Sequence, residues 1–466
     1  MTALSALALS GDQHEELRRC LFPGDGKEAA ALLLCGRRSG DRRLRLLVRE
    51  VHGIPYNECT RRTAGLVSWS PEYIAPLLER AAEQRLSVIK VHSHPNGYDA
   101  FSRTDDEGDA RLLPMIRGWV EAEVPHGSAV MLPDGEMFGR LLQAGGTLAA
   151  VDCVSVVDDD LRFWYADAAG TPLPGFVASH AQVFGEGTTE RLRRLSIAVV
   201  GASGTGSLVV EQLMRLGVGE LVLVDDDLAE KRNVNRITNS TMRDAVEMQP
   251  KVDVLADAVE RIGLGTRVVR VGRNLWTPDA VRCVAQCDVL FGCMDTVDGR
   301  FLLNALAAQY TLPCFDIGVR LQAVPDGPDQ GRIREVCGTV HYLRPGRSSL
   351  MSRGLFSMRD VAAAGLRRND PDAHREQVQD GYIDGAEARR PAVISVNMFA
   401  ASLAVSEFLA RLHPFREEPN STWAAVTFSL ASMELMPARE EGTCSILANR
   451  VGKGDEVPLL GLPEFA

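Results

Sequence analysis

Two histidines one residue apart, His92 and His94, stand in VHSHPNGYDAFSRTD with Ser102 and Asp105. Side chains two residues apart on a strand point to the same face, so SVIKVHSH running as a strand aims both imidazoles at one point. A carboxylate from the start of the next helix then closes a His, His, Asp set. Three such ligands leave a fourth tetrahedral position for water, as a catalytic zinc site requires, and zinc brings the pKa of that water to about 7. The expected chemistry is metal-dependent hydrolysis. The plainer reading of the same residues is helix capping, because Ser102 and Asp105 also suit a helix beginning near Thr104.

A second group lies downstream. GASGTGS at 201–207 follows an apolar strand and opens a helix, so backbone N–H groups and the positive helix end can cradle phosphate or ribose. Gly201, Gly204 and Gly206 are spaced GxxGxG rather than the dinucleotide GxGxxG. Asp225 follows Gly206 by 19 residues at the end of the next strand, where a ribose hydroxyl is commonly held. A nicotinamide oxidoreductase would fit those residues alone. The segment DDDLAEKRNVNRI and the later EMQPK add Asn235 and the cations Arg236 and Lys251, which can neutralise the β- and γ-phosphates of a triphosphate. Asp295 in CDVLFGCMDTVDGR can hold the accompanying magnesium from the end of another strand. ATP is therefore favoured over NAD.

These residues need elements to present them. Short β-rich runs at 29–35, 44–51, 87–91 and 128–132, separated by helical stretches, predict an α+β domain over 1–157. Acidic and then Gly/Pro-punctuated sequence predicts a linker over 158–185. From about 193 the order strand, glycine turn, helix, strand marks a βαβ unit, and hence a Rossmann-like domain over 186–466 with a mostly parallel sheet. Further strands are predicted at 267–272, 288–293 and 313–317, and a long helix at 394–412. The class is α/β.

Composition narrows the partners. With 51 basic and 62 acidic residues the net charge of −11 repels a phosphate backbone, so nucleic acid is not expected. The opening MTALSALALSGDQHEE lacks a basic n-region, and there is no run of about 18 apolar residues, so neither export nor a membrane is expected. Ten cysteines without a CxxC pair suit a reduced cytoplasm.

The pattern HSH, seven residues, Ser, two residues, Asp resembles the motif of the JAB/MPN (JAMM) metalloprotease family. EAAALLLCG at 28–36 is similar to that family's upstream glutamate segment, with Ala31 where Gly is usual. The resemblance covers about residues 15–155 and implies a cytidine-deaminase-like α+β fold with zinc on His92, His94 and Asp105. It also implies Glu28 as general base and Ser102 as a stabiliser of the oxyanion. Glu50 and Glu58 are the other candidate bases. The implied reaction is cleavage of a peptide or isopeptide bond after the C-terminus of a ubiquitin-like protein.

Residues 180–466 resemble the adenylating domain of ThiF, MoeB and the ubiquitin-activating enzymes. Gly201, Gly204 and Gly206 match the glycine loop, and Asp225, Asp227, Asn233, Asn235 and Arg236 match "DxDxVxxSNLNRQ". Lys251 matches the downstream lysine, and Cys293 through Thr296 match "CTDN". The resemblance implies an adenylyltransferase that uses ATP and Mg2+ on the C-terminal carboxylate of a ubiquitin-like protein, a homodimer, and a conjugating enzyme as a further partner. Three departures stand out. Relatives often carry two zinc-binding CxxC pairs, but here Ser349 and Ser352 occupy one, and Cys444 is followed by Leu447 in the other, so no zinc is expected in this domain. Where relatives place an arginine that reaches a neighbouring subunit's ATP, this chain has Ser179, His180 and Gln182, with Arg191, Arg193 and Arg194 as possible substitutes. No cysteine occurs between 338 and 443, and Cys337 reads as a buried strand residue, so adenylation without a stable thioester is expected. The whole reads as a bifunctional enzyme of a bacterial-type ubiquitin-like system. The alternative is a protease whose ThiF-like domain only binds the ubiquitin-like protein.

Overall fold

The computed structural model describes residues 3–121, 123–167, 173–323, 332–379 and 392–465. Residues 168–172 of the expected linker lie outside them. Two compact units divide the chain: Met1–Thr171 with Gln309–Thr311 and Arg450–Ala466, and Pro172–Ala308 with Leu312–Asn449.

The strands of the first unit are β1 (Leu4–Ser10), β2 (Ala30–Ser39), β3 (Arg43–Gly53), β4 (Cys59–Thr63), β5 (Leu66–Trp69), β6 (Ser87–Ser93), β7 (Gly127–Met131), β8 (Met137–Leu142), β9 (Leu148–Ala150), β10 (Cys153–Val157) and β11 (Leu161–Tyr165). The pair β4 and β5 forms a small hairpin sheet, and the other nine form one mixed sheet in the order β11-β10-β1-β3-β2-β6-β7-β8-β9. Its helices are α1 (Gly11–Leu21), α2 (Pro71–Glu83) and α3 (Arg103–Val120).

Strand β2 shows why the sheet is covered on both faces. Ala31, Leu33 and Cys35 pack with Leu17 and Leu21 of α1. The alternate residues Ala30, Leu32 and Leu34 pack with Ile74 and Leu78 of α2 and Leu113 and Ile116 of α3. Every β2 position from Ala30 to Cys35 is thus apolar, as a central strand requires. The same alternation sorts β6: Ile89 and Val91 face α1, whereas Val88 faces α2 and α3. Lys90, His92 and His94 therefore fall on the α3 side.

In the second unit the helices are α4 (Ala178–Arg194), α5 (Gly206–Arg215), α6 (Met242–Val246), α7 (Lys251–Ile262), α8 (Pro278–Val284), α9 (Val297–Gln309), α10 (Met358–Asn369), α11 (Pro371–Gln379) and α12 (Ile394–Leu412). The strands are β12 (Ser196–Val200), β13 (Glu220–Val224), β14 (Arg267–Val271), β15 (Val289–Gly292), β16 (Cys314–Ala323), β17 (Ile333–Leu343), β18 (Ala425–Ser429) and β19 (Glu434–Ala438). They lie in the order β14-β13-β12-β15-β16-β17-β18-β19. The first five are mutually parallel and the last three join antiparallel. From β12 the chain winds outward to β13 and β14, then returns to place β15 on the other side of β12. That reversal makes a crevice at the carboxyl ends of β12 and β15, where doubly wound sheets bind ligands. Among the described residues no helix is long and apolar enough to cross a membrane.

Two features depart from the expectations. The stretch 158–185 contains β11, which pairs antiparallel with β10, and the beginning of α4. The run of Asp158 to Asp160 is the turn of that hairpin, so a local change in composition marks a turn and not a linker. The segment 450–466 joins the first unit, where Gly454 bridges Arg37 of β2 and Asp455 ion-pairs with Arg38 at 3.0 Å.

Candidate active sites

Strand β6 delivers His92, with His94 just past its end, and α3 delivers Asp105 from its first turn. His92 Nε2 lies 2.8 Å from Asp105 Oδ1, His94 Nε2 lies 3.4 Å from Asp105 Oδ2, and the two Nε2 atoms are 3.1 Å apart. Ligand atoms about 2.1 Å from a tetrahedral zinc stand roughly 3.4 Å from one another, so this set needs only a slight expansion to hold the ion. Its chemistry also suits a metal. Burial, aided by nearby Lys90, lowers the His92 pKa to about 4, leaving a neutral imidazole. Burial pushes the Asp105 carboxyl up, but hydrogen bonds from His92, His94 and Ser102 outweigh it and hold the group ionised, well below the usual carboxylate range. His94 Nδ1 donates to the Tyr98 carbonyl at 2.6 Å, which turns the Nε2 lone pair toward the cluster.

Register explains Glu28. Ala30 pairs with His92, and Ser93 N donates to the Ala29 carbonyl at 3.0 Å. Continuing that antiparallel register sets Glu28 opposite His94 on the same face. The side chain is 6% exposed, and its pKa rises to about 7, principally through burial, with opposing effects from His94 and Asp105. Glu50 instead pairs with Leu34, farther along β2, and bonds to His52 at 2.9 Å and Arg80 at 2.5 Å. Glu58 is exposed in a short helical turn. Neither joins the cluster.

Ser102 is the N-cap of α3. Its Oγ donates to Asp105 Oδ2 at 2.7 Å and accepts from Asp105 N at 3.2 Å. Capping and convergence on the histidines thus occur in one geometry. One turn along α3, buried Asp109 meets Lys90 Nζ at 2.8 Å, Arg140 Nη2 at 2.7 Å and the Ser128 hydroxyl. This network ties α3 to β6, β7 and β8 and was not anticipated. Its signal was Lys90, a lone charge inside the apolar run SVIKV.

In the second unit the glycine loop runs from the end of β12 into α5. Gly201 has φ 98°, and Cβ atoms built on it and on Gly206 would lie 2.7 Å from Cys293 O and 1.7 Å from Gly201 O, respectively. Only glycine permits this close turn. Asp225 braces the loop: its Oδ2 accepts from Ala202 N at 2.7 Å and its Oδ1 from Asp227 N at 2.9 Å. Burial raises its pKa, against the opposing charge of Lys251. Lys251 Nζ rests on Asp227 Oδ2 at 2.5 Å. Arg236 Nη2 donates to Asn233 Oδ1 at 3.0 Å, and its Nη1 donates to Oδ1 of exposed Asn235 at 3.3 Å. Asp295 is exposed just beyond β15. Among the described residues, the acidic side chains of this unit that converge as a trio are Asp225, Asp226 and Asp227, so Asp295 would offer magnesium a single carboxylate beside the phosphates.

The remaining expectations fall as follows. Ser349 and Ser352 hydrogen-bond to each other's backbone N–H, at 2.8 and 3.2 Å. Arg193 and Arg194 of α4 pair with Glu190 at 3.1 and 3.0 Å. Cys337 is partly rather than fully buried on β17; burial, together with Glu335, raises its pKa and keeps the thiol protonated.

A doubly wound nucleotide-type sheet with a glycine turn at its switch point, joined to an α+β unit with a His, His, Asp cluster, defines the class. The model of the ThiF family matches residues 177–445, and the chain belongs to that family. Residues 12–140 match the model of the prokaryotic homologs of the JAB domain. The fold is accordingly a JAB-like domain followed by a ThiF-like Rossmann domain with a largely parallel sheet. Similar curated proteins include ubiquitin-like modifier-activating enzyme 5 of Drosophila willistoni, 27% identical over 169 residues, which are 34% of this chain and 38% of that protein. The Aedes aegypti protein of the same name is 26% identical over 169 residues, 34% and 39% of the two chains. The chain thus spans about two fifths of the length of these relatives. Among solved structures, E. coli MccB with ATP is 14% identical with a TM-score of 0.43, covering 60% of this chain and 75% of that one. Selenomethionine PaaA is 16% identical with a TM-score of 0.41, covering 60% and 88%.

Proposed function

We propose that the first unit is a zinc (iso)peptidase that cuts at the C-terminal end of a ubiquitin-like protein, and that the second adenylates the carboxylate so released. The observation that carries this reading is a His, His, Asp cluster at coordination distances, with a buried carboxyl whose pKa is about 7 opposite one of its histidines. When bound, zinc supplies a Lewis acid that polarises the scissile carbonyl and acidifies water; His92, His94 and Asp105 would hold it. Glu28 takes the proton of the attacking water and returns it to the leaving amine, a task suited to a pKa near the working pH. Ser102, already a donor at the cluster, steadies the oxyanion once its hydroxyl turns from Asp105.

In the second unit the loop from Gly201 to Gly206 and the start of α5 cradle the phosphates of ATP. Arg236 and Lys251 exchange their present partners for phosphate oxygens, and Asp295 would hold Mg2+, whose charge would offset that of the phosphates. The carboxylate of the ubiquitin-like protein attacks the α-phosphorus and pyrophosphate leaves. Membership of the ThiF family and the likeness to ubiquitin-like modifier-activating enzymes support this half. A homodimer in the cytoplasm, handing its product to a conjugating enzyme, completes the proposal.

The test uses a ubiquitin-like protein with a C-terminal extension. Glu28→Gln should stop cleavage alone, and Asp295→Ala should stop ATP–pyrophosphate exchange alone. The present engagement of Lys251 by Asp227 and of Arg236 by Asn233 favours, as a second reading, a unit that binds the ubiquitin-like protein without activating it. Cleavage without exchange by the wild type would establish that reading and sink the adenylation half.

A further inference from the structure

Asn397 is a polar side chain in an apolar setting. It lies in the first turn of α12, within the text ISVNMFAASLAV, and is 5% exposed. Its side-chain amide makes no hydrogen bond among the described residues. An amide with no partner inside the chain has its donor free for a group that arrives from outside.

The place where it points is informative. A Cβ built on Gly204 would stand 2.5 Å from Asn397 Nδ2 and 3.1 Å from Arg236 Cδ. The amide, the middle of the glycine loop and the Arg236 side chain therefore meet at one spot. This placement is held from a distance. Helix α12 packs on α5, and Phe408 contacts Phe291 and Phe315 edge-on, with ring centroids 5.9 Å apart in each pair. Phe408 follows Asn397 by 11 residues, close to three helical turns, so anchoring one on the sheet turns the other toward the loop. Neither α5 nor α12 has a side-chain hydrogen bond capping its N-terminus. The positive end of a helix dipole favours an anion.

We infer that Asn397 is a further nucleotide-binding residue: its amide donates a hydrogen bond to a phosphoryl oxygen of the ATP held by the glycine loop and Arg236. The inference rests on the adenylation reading above and adds a wall to that cradle from α12. Glycine at 204 is then required for room, since a methyl group there would displace the amide.

The experiment titrates the full chain with ATP and, separately, with adenosine, for the wild type and for Asn397→Ala, Asn397→Asp and Asn397→Ser, alongside ligand-free melting curves. A hydrogen bond to a charged group predicts about tenfold or more weaker ATP binding for the alanine variant. The aspartate variant should lose more, because its carboxylate repels phosphate, and the serine variant, which keeps a donor, should recover part. Adenosine binding should stay within twofold throughout. ATP affinity within twofold of wild type in both the alanine and aspartate variants overturns the inference and leaves the adenylation reading standing. Parallel loss of ATP and adenosine affinity with a lowered melting temperature marks a purely structural residue and also overturns it. A wild-type protein that binds no ATP overturns both readings together.

Discussion

Replacing Gly206 by alanine tests whether the glycine loop works by close contact of backbone with backbone. The added Cβ would lie 1.7 Å from Gly201 O and 2.9 Å from Gly201 C, whereas real Cβ atoms essentially never come within 3.0 Å of a neighbour. Helix α5 cannot back away, because Leu208, Val209, Leu213 and Met214 are buried beneath it. The Gly201 carbonyl must therefore retreat by at least about 1.3 Å. Gly201 has little room, since its own position is wedged against Cys293 O at φ 98°. Overpacking of this kind costs about 1–3 kcal/mol, and displacing a binding element by about 1 Å costs on the order of a hundredfold in function. Urea unfolding of the full chain should show the second unit destabilised by about 2 kcal/mol. ATP binding and ATP–pyrophosphate exchange should fall by roughly a hundredfold, with cleavage by the first unit unchanged. Gly204→Ala is the control, because the nearest obstacle there is the movable end of Asn397; its stability loss should be under about 1 kcal/mol. Wild-type stability and exchange in Gly206→Ala, or a larger stability loss at Gly204, would refute the steric reasoning.

Glu28→Gln should slow cleavage by about a hundredfold to ten-thousandfold while zinc affinity stays near wild type; a cleavage rate within tenfold of wild type removes Glu28 from the reaction. Zinc at a hundred times its dissociation constant should stabilise the first unit by about 2.7 kcal/mol, reversibly with a chelator, and His92→Ala should abolish the response in thermal melts. An unchanged zinc response in that variant would mean the ion binds elsewhere. Asp109→Ala leaves Lys90 buried without its carboxylate, while Arg140 keeps Asp106 at 2.5 Å, and should cost about 3 kcal/mol in urea unfolding. Burial pushes the Asp109 pKa up, but Lys90, Ser128 and Arg140 outweigh it and depress the folded-state value. Its contribution is therefore full above the unfolded pKa near 3.9 and is lost as pH falls through the folded value. Comparing unfolding of wild type and variant at pH 6 and pH 3 checks this, and a difference that does not shrink at the lower pH argues against it.

Local sequence carried much of both sites. His92 and His94 share a face because a strand alternates, and Asp105 lies near them because it opens the next helix, so the trio needed only 14 consecutive residues. The glycine turn was equally local, as was the apolar period of the helix at 394–412, whose bounds agree with α12. Strand β11 was missed because three aspartates and a Gly/Pro-rich stretch look the same in a hairpin turn as in a linker. Cys337, read as a buried strand residue, is only partly buried, because strand propensity says nothing about which stretch of a long hairpin leaves the core.

What the sequence determined by itself is the α/β class, the order of the two domain types and the presence of a His, His, Asp pattern ahead of a glycine turn. All of these follow from spacing within a few turns or one strand. Tertiary structure alone decided how those groups are held. It set Glu28 opposite His94 through the register of β2 on β6, closed Lys90, Asp109, Ser128 and Arg140 into one network, and brought the amide of Asn397 to Gly204 across nearly 200 residues of chain. It also returned residues 450–466 to the strand that begins two residues after Glu28. The reason is physical: periodicity fixes which face a side chain takes, but strand order, register and helix packing fix what stands across from it.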